Sequence, residues 1–88
     1  MDDKTTFETL MDLAEETGMT IRMAPAGADS SEHPGGAVVR LKGKEMVFLD
    51  STAGLPDQIA VLAEALAGKP QLQERFLPPH IRVLLERQ

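Results

Sequence analysis

Asp50, Glu64 and His80 have side chains of the types that carry acid–base chemistry. If these groups met in a cleft, they could exchange protons with a substrate. The sequence does not bring them together, because each falls on a different predicted element. Asp50 ends an apolar strand and precedes Ser51-Thr52, a setting in which aspartate more often caps a turn through its side chain. We therefore predict that Asp50 holds a turn, and we predict no catalytic residue.

The remaining residues form no recognisable catalytic or metal-binding motif. His33 and His80 have no second histidine or acid at metal-ligand spacing on a helix. The chain contains no cysteine, which excludes thiolate ligands, disulfide bonds and thiol catalysis. A glycine-rich phosphate loop and the Gly-x-Ser-x-Gly nucleophile motif do not occur either. We expect neither a metal ion nor a cofactor.

The formal net charge of −5 lies entirely at the start of the chain. Residues 1–18 contain six acids against one base, Lys4, whereas residues 19–88 contain eight of each. This balance argues against binding to nucleic acid, which relies on Lys and Arg and on aromatic stacking. No apolar run approaches the ~18 residues of a membrane span, and the start MDDKTTFETL is unlike a signal peptide. We expect a cytoplasmic protein with no nucleic-acid or membrane partner.

Residues 37–50, AVVRLKGKEMVFLD, are predicted to form a β-hairpin around which the chain is organised. Gly43-Lys44 suits a type II′ turn, because its first central residue needs a positive φ. This turn pairs residues 37–42 with residues 45–50, and Lys42 then lies opposite Glu45. The face that we expect the rest of the chain to cover consists of Ala37, Val39, Leu41, Met46 and Phe48.

The opposite face of the hairpin is also apolar towards its base, where it carries Val38, Val47 and Leu49. Three such side chains are too many for a solvated surface. If helices leave this face open, a homodimer through the sheet is the simplest outcome. We therefore predict a non-enzymatic protein-interaction domain that binds an unidentified protein partner or a second copy of itself, with these three side chains at the contact.

An alternative is a small ligand-binding or hydrolase-like domain that uses Asp50. Residues 25–36, PAGADSSEHPGG, would then form a lid, because a loop of this length is either mobile or functional. Gly35 and Gly36 either provide a flexible entry to the hairpin or hold the backbone open for a ligand. The two glycines and Asp50 are the binding residues that this alternative predicts.

Amphipathic helices flank the hairpin in the sequence. Apolar residues recur at helical spacing from Phe7 to Ala14, which predicts a helix over residues 6–17 with a Thr5/Glu8 capping box. Together the patterns predict one two-layer α+β domain spanning residues 1–88, with a small antiparallel sheet that contains the central hairpin (37–42 and 45–50). The predicted order is helix 6–17, strand 19–24, the two hairpin strands, helix 56–67, a helical turn within 69–77, and a last helix after Pro79.

The segment MVFLDSTAGLPDQIAVLAEALAG (46–68) resembles the strand-to-helix passage of small zinc metallopeptidases that carry a His-Glu-x-x-His helix. In that alignment the first His falls on Glu64, the Glu on Ala65 and the second His on Gly68. The resemblance therefore implies that the zinc ligands and the general base of that family are missing here. The whole chain, with its closing segment LPPHIRVLLE (77–86), also resembles small bacterial proteins of unknown function, which implies no activity.

Overall fold

A three-stranded sheet and a layer of helices on one of its faces make up the fold. The computed structural model describes residues 2–25 and 35–87. The predicted α+β class and the predicted order of elements are confirmed. In chain order the elements are α1 (Asp3–Glu16), β1 (Thr20–Ala24), β2 (Gly36–Leu41), β3 (Lys44–Asp50), α2 (Leu55–Leu66), α3 (Pro70–Gln73) and α4 (Pro79–Glu86).

The sheet is mixed, and β3 is its central strand in the order β1-β3-β2. β2 pairs with β3 in the antiparallel sense, as expected for a hairpin, whereas β1 pairs with β3 in the parallel sense. The prediction that the whole sheet is antiparallel is therefore wrong for β1. The reason is topological: the chain reverses direction between β1 and β2 and again in the hairpin, so β3 runs in the same direction as β1.

The hairpin turn lies at Lys42 and Gly43, one residue earlier than predicted. Their φ angles are 53° and 79°, and two consecutive positive φ values are the signature of a type I′ turn rather than a type II′ turn. Arg40 rather than Lys42 therefore pairs with Glu45 across the strands. The change of register moves Lys42 into the turn, but residues 37–40 and 45–49 keep the faces that the sequence predicts for them.

Helices cover the face opposite to the one we expected. Val47 and Leu49 are 0% and 1% exposed, and Val38 packs against the core beside them. The other face is open, with Val39 and Phe48 exposed. Alternation in the strands could not decide between the two faces, because both carry apolar side chains.

Helix α1 is capped by Asp2 and not by the predicted Thr5/Glu8 capping box. The backbone N–H of Thr5 donates to Asp2 Oδ1 at 2.8 Å, which satisfies one of the free donors of the first turn. Gly18, with a φ of 83°, follows the end of the helix in the left-handed conformation. The helix therefore starts three residues earlier than expected and ends near its predicted position.

The core lies between the sheet and the helices α1, α2 and α4. α1 and α2 pack against each other and against the sheet, and α4 packs on α2. Pro56 and Pro79 each occupy the first turn of a helix, where a missing N–H costs little. None of the helices in the described ranges is long and apolar enough to cross a membrane. The most completely buried large side chains are Leu10, Val47, Leu49, Leu62, Leu66 and Ile81.

Candidate functional site

Asp50 is buried at the end of β3, where its carboxylate holds the turn that leads into α2. Asp50 Oδ1 accepts hydrogen bonds from the backbone N–H of Thr52 at 2.9 Å and from its hydroxyl at 2.6 Å. The Gln58 side-chain amide donates to the Asp50 carbonyl oxygen at 2.9 Å and to the Ala53 carbonyl oxygen at 3.0 Å. These contacts confirm the predicted turn role and fix the start of α2 relative to the sheet.

Gly35 and Gly36 are required by packing within the chain. Both have positive φ angles, 90° and 137°. A Cβ atom at Gly35 would overlap the backbone of Asp57, and one at Gly36 would overlap the backbone carbonyl of Phe48. The predicted lid, residues 25–36, falls mostly on residues 26–34, which lie outside the described residues.

Glu64 and His80 lie in different surface hollows. Glu64 is exposed on α2 and lines a hollow with Val38 and Arg40. His80 is exposed at the start of α4 and lines another hollow with Pro79 and Val83. Within residues 2–25 and 35–87, no three histidine, aspartate or glutamate side chains converge as a metal site would require.

A charged cluster closes the rim of the covered face. Glu45 contacts the ammonium group of Lys69 through Oε1 and the Arg40 Nε atom, at 3.2 Å, through Oε2. Burial lowers the pKa of Lys69, and the nearby Arg40 guanidinium lowers it further. The Lys69 side chain is only 14% exposed, and its partner Glu45 offsets the cost of burying its charge. The cluster thus holds the start of β3 against the segment after α2.

The open face of the sheet is a further candidate surface. Register places the side chains of Phe48 and Ala37 side by side, with Val39 and Met46 as the next pair. Phe48 is 43% exposed and Val39 is 40% exposed. We call Ala37, Val39, Met46 and Phe48 the open sheet patch.

Among the residues that the structure describes, ionisable side chains lie around this patch and not within it. Arg22 of β1 is the register neighbour of Phe48, and Lys44 begins β3 on the same face. Both are exposed. The acids of α1 belong to the helix layer on the opposite side of the sheet. The open face is therefore apolar at its centre and bordered by positive charge.

Comparisons with protein-family models, with curated proteins and with solved structures found no match for this chain. The resemblances to zinc metallopeptidases and to small bacterial proteins therefore stay predictions.

Of the predicted binding residues, Val47 and Leu49 belong to the core, and Val38 is packed against it. Val47 and Leu49 are therefore not free for a contact with a partner, which corrects that prediction, while Val38 is partly exposed in the hollow beside Glu64. The residues that sequence reasoning missed as a surface are those of the open sheet patch. Their signal was present as a second apolar face of the hairpin, but we had expected that face to be the covered one.

Proposed function

We propose that this chain is a non-enzymatic protein-interaction domain that self-associates through its open sheet patch. The observation that carries the proposal is that, within residues 2–25 and 35–87, helices cover one face of the sheet while Phe48 and Val39 are exposed on the other. An exposed apolar patch of contiguous side chains on a small domain is typical of an interaction site.

The charge distribution favours a second copy of the chain as the occupant of the patch. The acid surplus is confined to residues 1–18, and these residues lie in or next to α1. Two copies stacked through their open faces would keep their α1 helices on opposite outer surfaces. Since exposed charges are screened within about 8 Å at physiological salt, the acids of α1 place little repulsion on the contact. The like charges nearest to it are Arg22 and Lys44 at its border. Two such sheets would pack about 10 Å apart.

We also propose that the protein is cytoplasmic and that it does not bind nucleic acid. Arg22 and Lys44 share the open face, but Arg40 is on the covered face and pairs with Glu45. The basic residues therefore do not form the single stripe that phosphate binding uses. The contacts described for Asp50 hold the turn before α2, so we do not extend the proposal to hydrolysis.

The test is the mass of the particle in solution. We expect sedimentation equilibrium at high micromolar concentration to give a dimer of the 9.6 kDa chain. Phe48→Glu should weaken the dimer at least about tenfold, because a carboxylate would be buried at the centre of the contact. Its matched control is Phe76→Glu, since Phe76 is 84% exposed after α3 and follows Arg75, which pairs with Glu16 of α1.

Circular dichroism of both variants checks that each retains its fold. A dimer that F48E dissociates and F76E leaves intact supports the proposal. A wild-type chain that stays monomeric at high micromolar concentration contradicts it. Equal effects of the two variants would also contradict it, since the contact would not then depend on the sheet.

A further inference from the structure

A groove rich in methionine lies between α1 and the edge strand β1. It has a volume of about 430 Å³ and is lined by Met11, Glu15, Met19, Ile21 and Met23. Three of the five methionines in the chain therefore line one hollow. Methionine is flexible and polarisable, so surfaces rich in it adapt to different apolar side chains. We call this hollow the methionine groove.

The backbone beside the groove is an exposed strand edge. β1 pairs with β3 on one side, and no strand within the described residues pairs with its other side. Met23 is 49% exposed, and Ile21 is partly buried. Both side chains point into the helix layer, where they line the groove, while the outward N–H and C=O groups of β1 lie next to it. An exposed edge of this kind is a template for an added strand.

The helix wall of the groove is acidic. Glu15 lines the groove beside Met11, and Glu8 and Asp12 lie seven and three residues before it on the outer side of α1. All three are exposed, and within the described part of the chain none of them forms an ion pair. The groove therefore combines an apolar floor with the Glu15 carboxylate in its helix wall, and two further acids lie on the outer side of the same helix.

We propose that the methionine groove binds an extended, basic segment of another protein, which adds to β1 as an extra strand. Lys and Arg fit both parts of the groove, because their aliphatic stems can lie on methionine while their charged ends reach carboxylates. Backbone hydrogen bonds to β1 would provide affinity, and the Glu15 carboxylate would select for positive charge. This site is separate from the open sheet patch and does not depend on self-association.

The probe is a fluorescent synthetic peptide of about eight residues that alternates lysine with valine. Fluorescence anisotropy at low salt compares it with two matched peptides. One has glutamate in place of lysine, and the other carries N-methyl groups on its backbone amides. We expect binding by the lysine peptide, at least about tenfold weaker binding by the glutamate peptide, and loss of binding on N-methylation because strand addition needs backbone donors.

Variants of the protein locate the site. Met23→Gln should weaken binding at least about fivefold, because it places an amide in the apolar floor. Glu15→Gln should weaken it about two- to fivefold, the value of one exposed charge pair. Val83→Gln is the matched control, since Val83 is also 49% exposed but lies on α4. The Phe48→Glu variant should bind the peptide as the wild type does.

Binding that follows this pattern supports the proposal. Equal affinity for the lysine and glutamate peptides would overturn it, and so would full binding of the N-methylated peptide. The proposal would also be overturned if Met23→Gln and Val83→Gln changed the peptide affinity equally, or if the lysine peptide did not bind at about 1 mM. Loss of peptide binding in the Phe48→Glu variant, with its fold retained, would place the site on the open face instead.

Discussion

At the residue scale, Gly36 occupies a position where the backbones of β2 and β3 leave no room for a side chain. Its φ is 137°, and a Cβ would overlap the carbonyl oxygen of Phe48. We expect Gly36→Ala to lower the free energy of unfolding by at least about 2 kcal/mol. The control is Gly54→Ala, where φ is −68° and a Cβ would lie an ordinary 3.6 Å from Pro56. It should cost less than about 1 kcal/mol.

Urea denaturation of both variants measures the difference. If the two substitutions cost the same, close approach of the strands is not the reason for glycine at position 36.

Asp2 gives α1 a cap whose strength depends on pH. The backbone N–H of Thr5, and then its hydroxyl, lower the pKa of Asp2 below its ordinary value of 3.8. Between the lowered pKa of the folded state and the ordinary value of 3.8, the folded state therefore binds fewer protons than the unfolded state. The contribution is fully present above 3.8 and is lost as the pH falls through the lowered folded value.

Asp2→Asn keeps an oxygen acceptor for the cap and cannot titrate. We expect the difference in urea midpoint between the wild type and Asp2→Asn to be constant near neutral pH. Below pH 3.8 the midpoint of the wild type should fall relative to that of Asp2→Asn. The comparison isolates position 2, because every other residue is the same in both proteins. A difference that does not change with pH would show that ionisation of Asp2 does not stabilise the helix.

At the scale of elements, the hairpin turn offers a direct test of register. Lys42 has a φ of 53°, which costs an ordinary L-residue about 1–2 kcal/mol and costs asparagine less. We expect Lys42→Asn to raise the free energy of unfolding by up to about 1 kcal/mol. Lys44→Asn is the control, since Lys44 lies in β3, where asparagine is disfavoured. A gain from Lys44→Asn instead would favour the turn at Gly43-Lys44.

The elements themselves could be predicted well from the sequence, because helix stripes, strand alternation and Pro and Gly boundaries are local signals. The choice of the covered face could not. Leu49 and Phe48 are both apolar neighbours on one strand, and which of them is buried depends on where α1 and α2 pack. The parallel pairing of β1 was missed for the same reason, since it depends on the path of the chain between distant elements.

The candidate surfaces also depend partly on local sequence signals and partly on how distant elements pack. The alternation of Met19, Ile21 and Met23 was visible in the sequence, but the groove forms only because Met11 of α1 lies beside them. Lys69 shows no local signal at all. Its burial and its contact with Glu45 come from the meeting of two segments 24 residues apart.

At the scale of the whole molecule, the sheet separates two kinds of surface. Apolar side chains bordered by Arg22 and Lys44 lie on one side, and the acidic helix α1 lies on the other. Self-association brings together two chains of net charge −5, whereas the methionine groove brings negative charge to a positive segment. Salt screens both interactions, so it should have opposite effects on the two surfaces.

An increase in sodium chloride from about 20 mM to about 500 mM shortens the Debye length from about 20 Å to about 4 Å. We therefore expect it to tighten the dimer and to weaken binding of the lysine–valine peptide several-fold. Sedimentation equilibrium measures the dissociation constant of the dimer, and fluorescence anisotropy measures that of the peptide complex. Glu15→Gln should reduce the salt dependence of peptide binding and leave that of the dimer nearly unchanged. If salt weakens both interactions to the same degree, the dimer contact is held by opposite charges, and the apolar patch around Phe48 is not its centre.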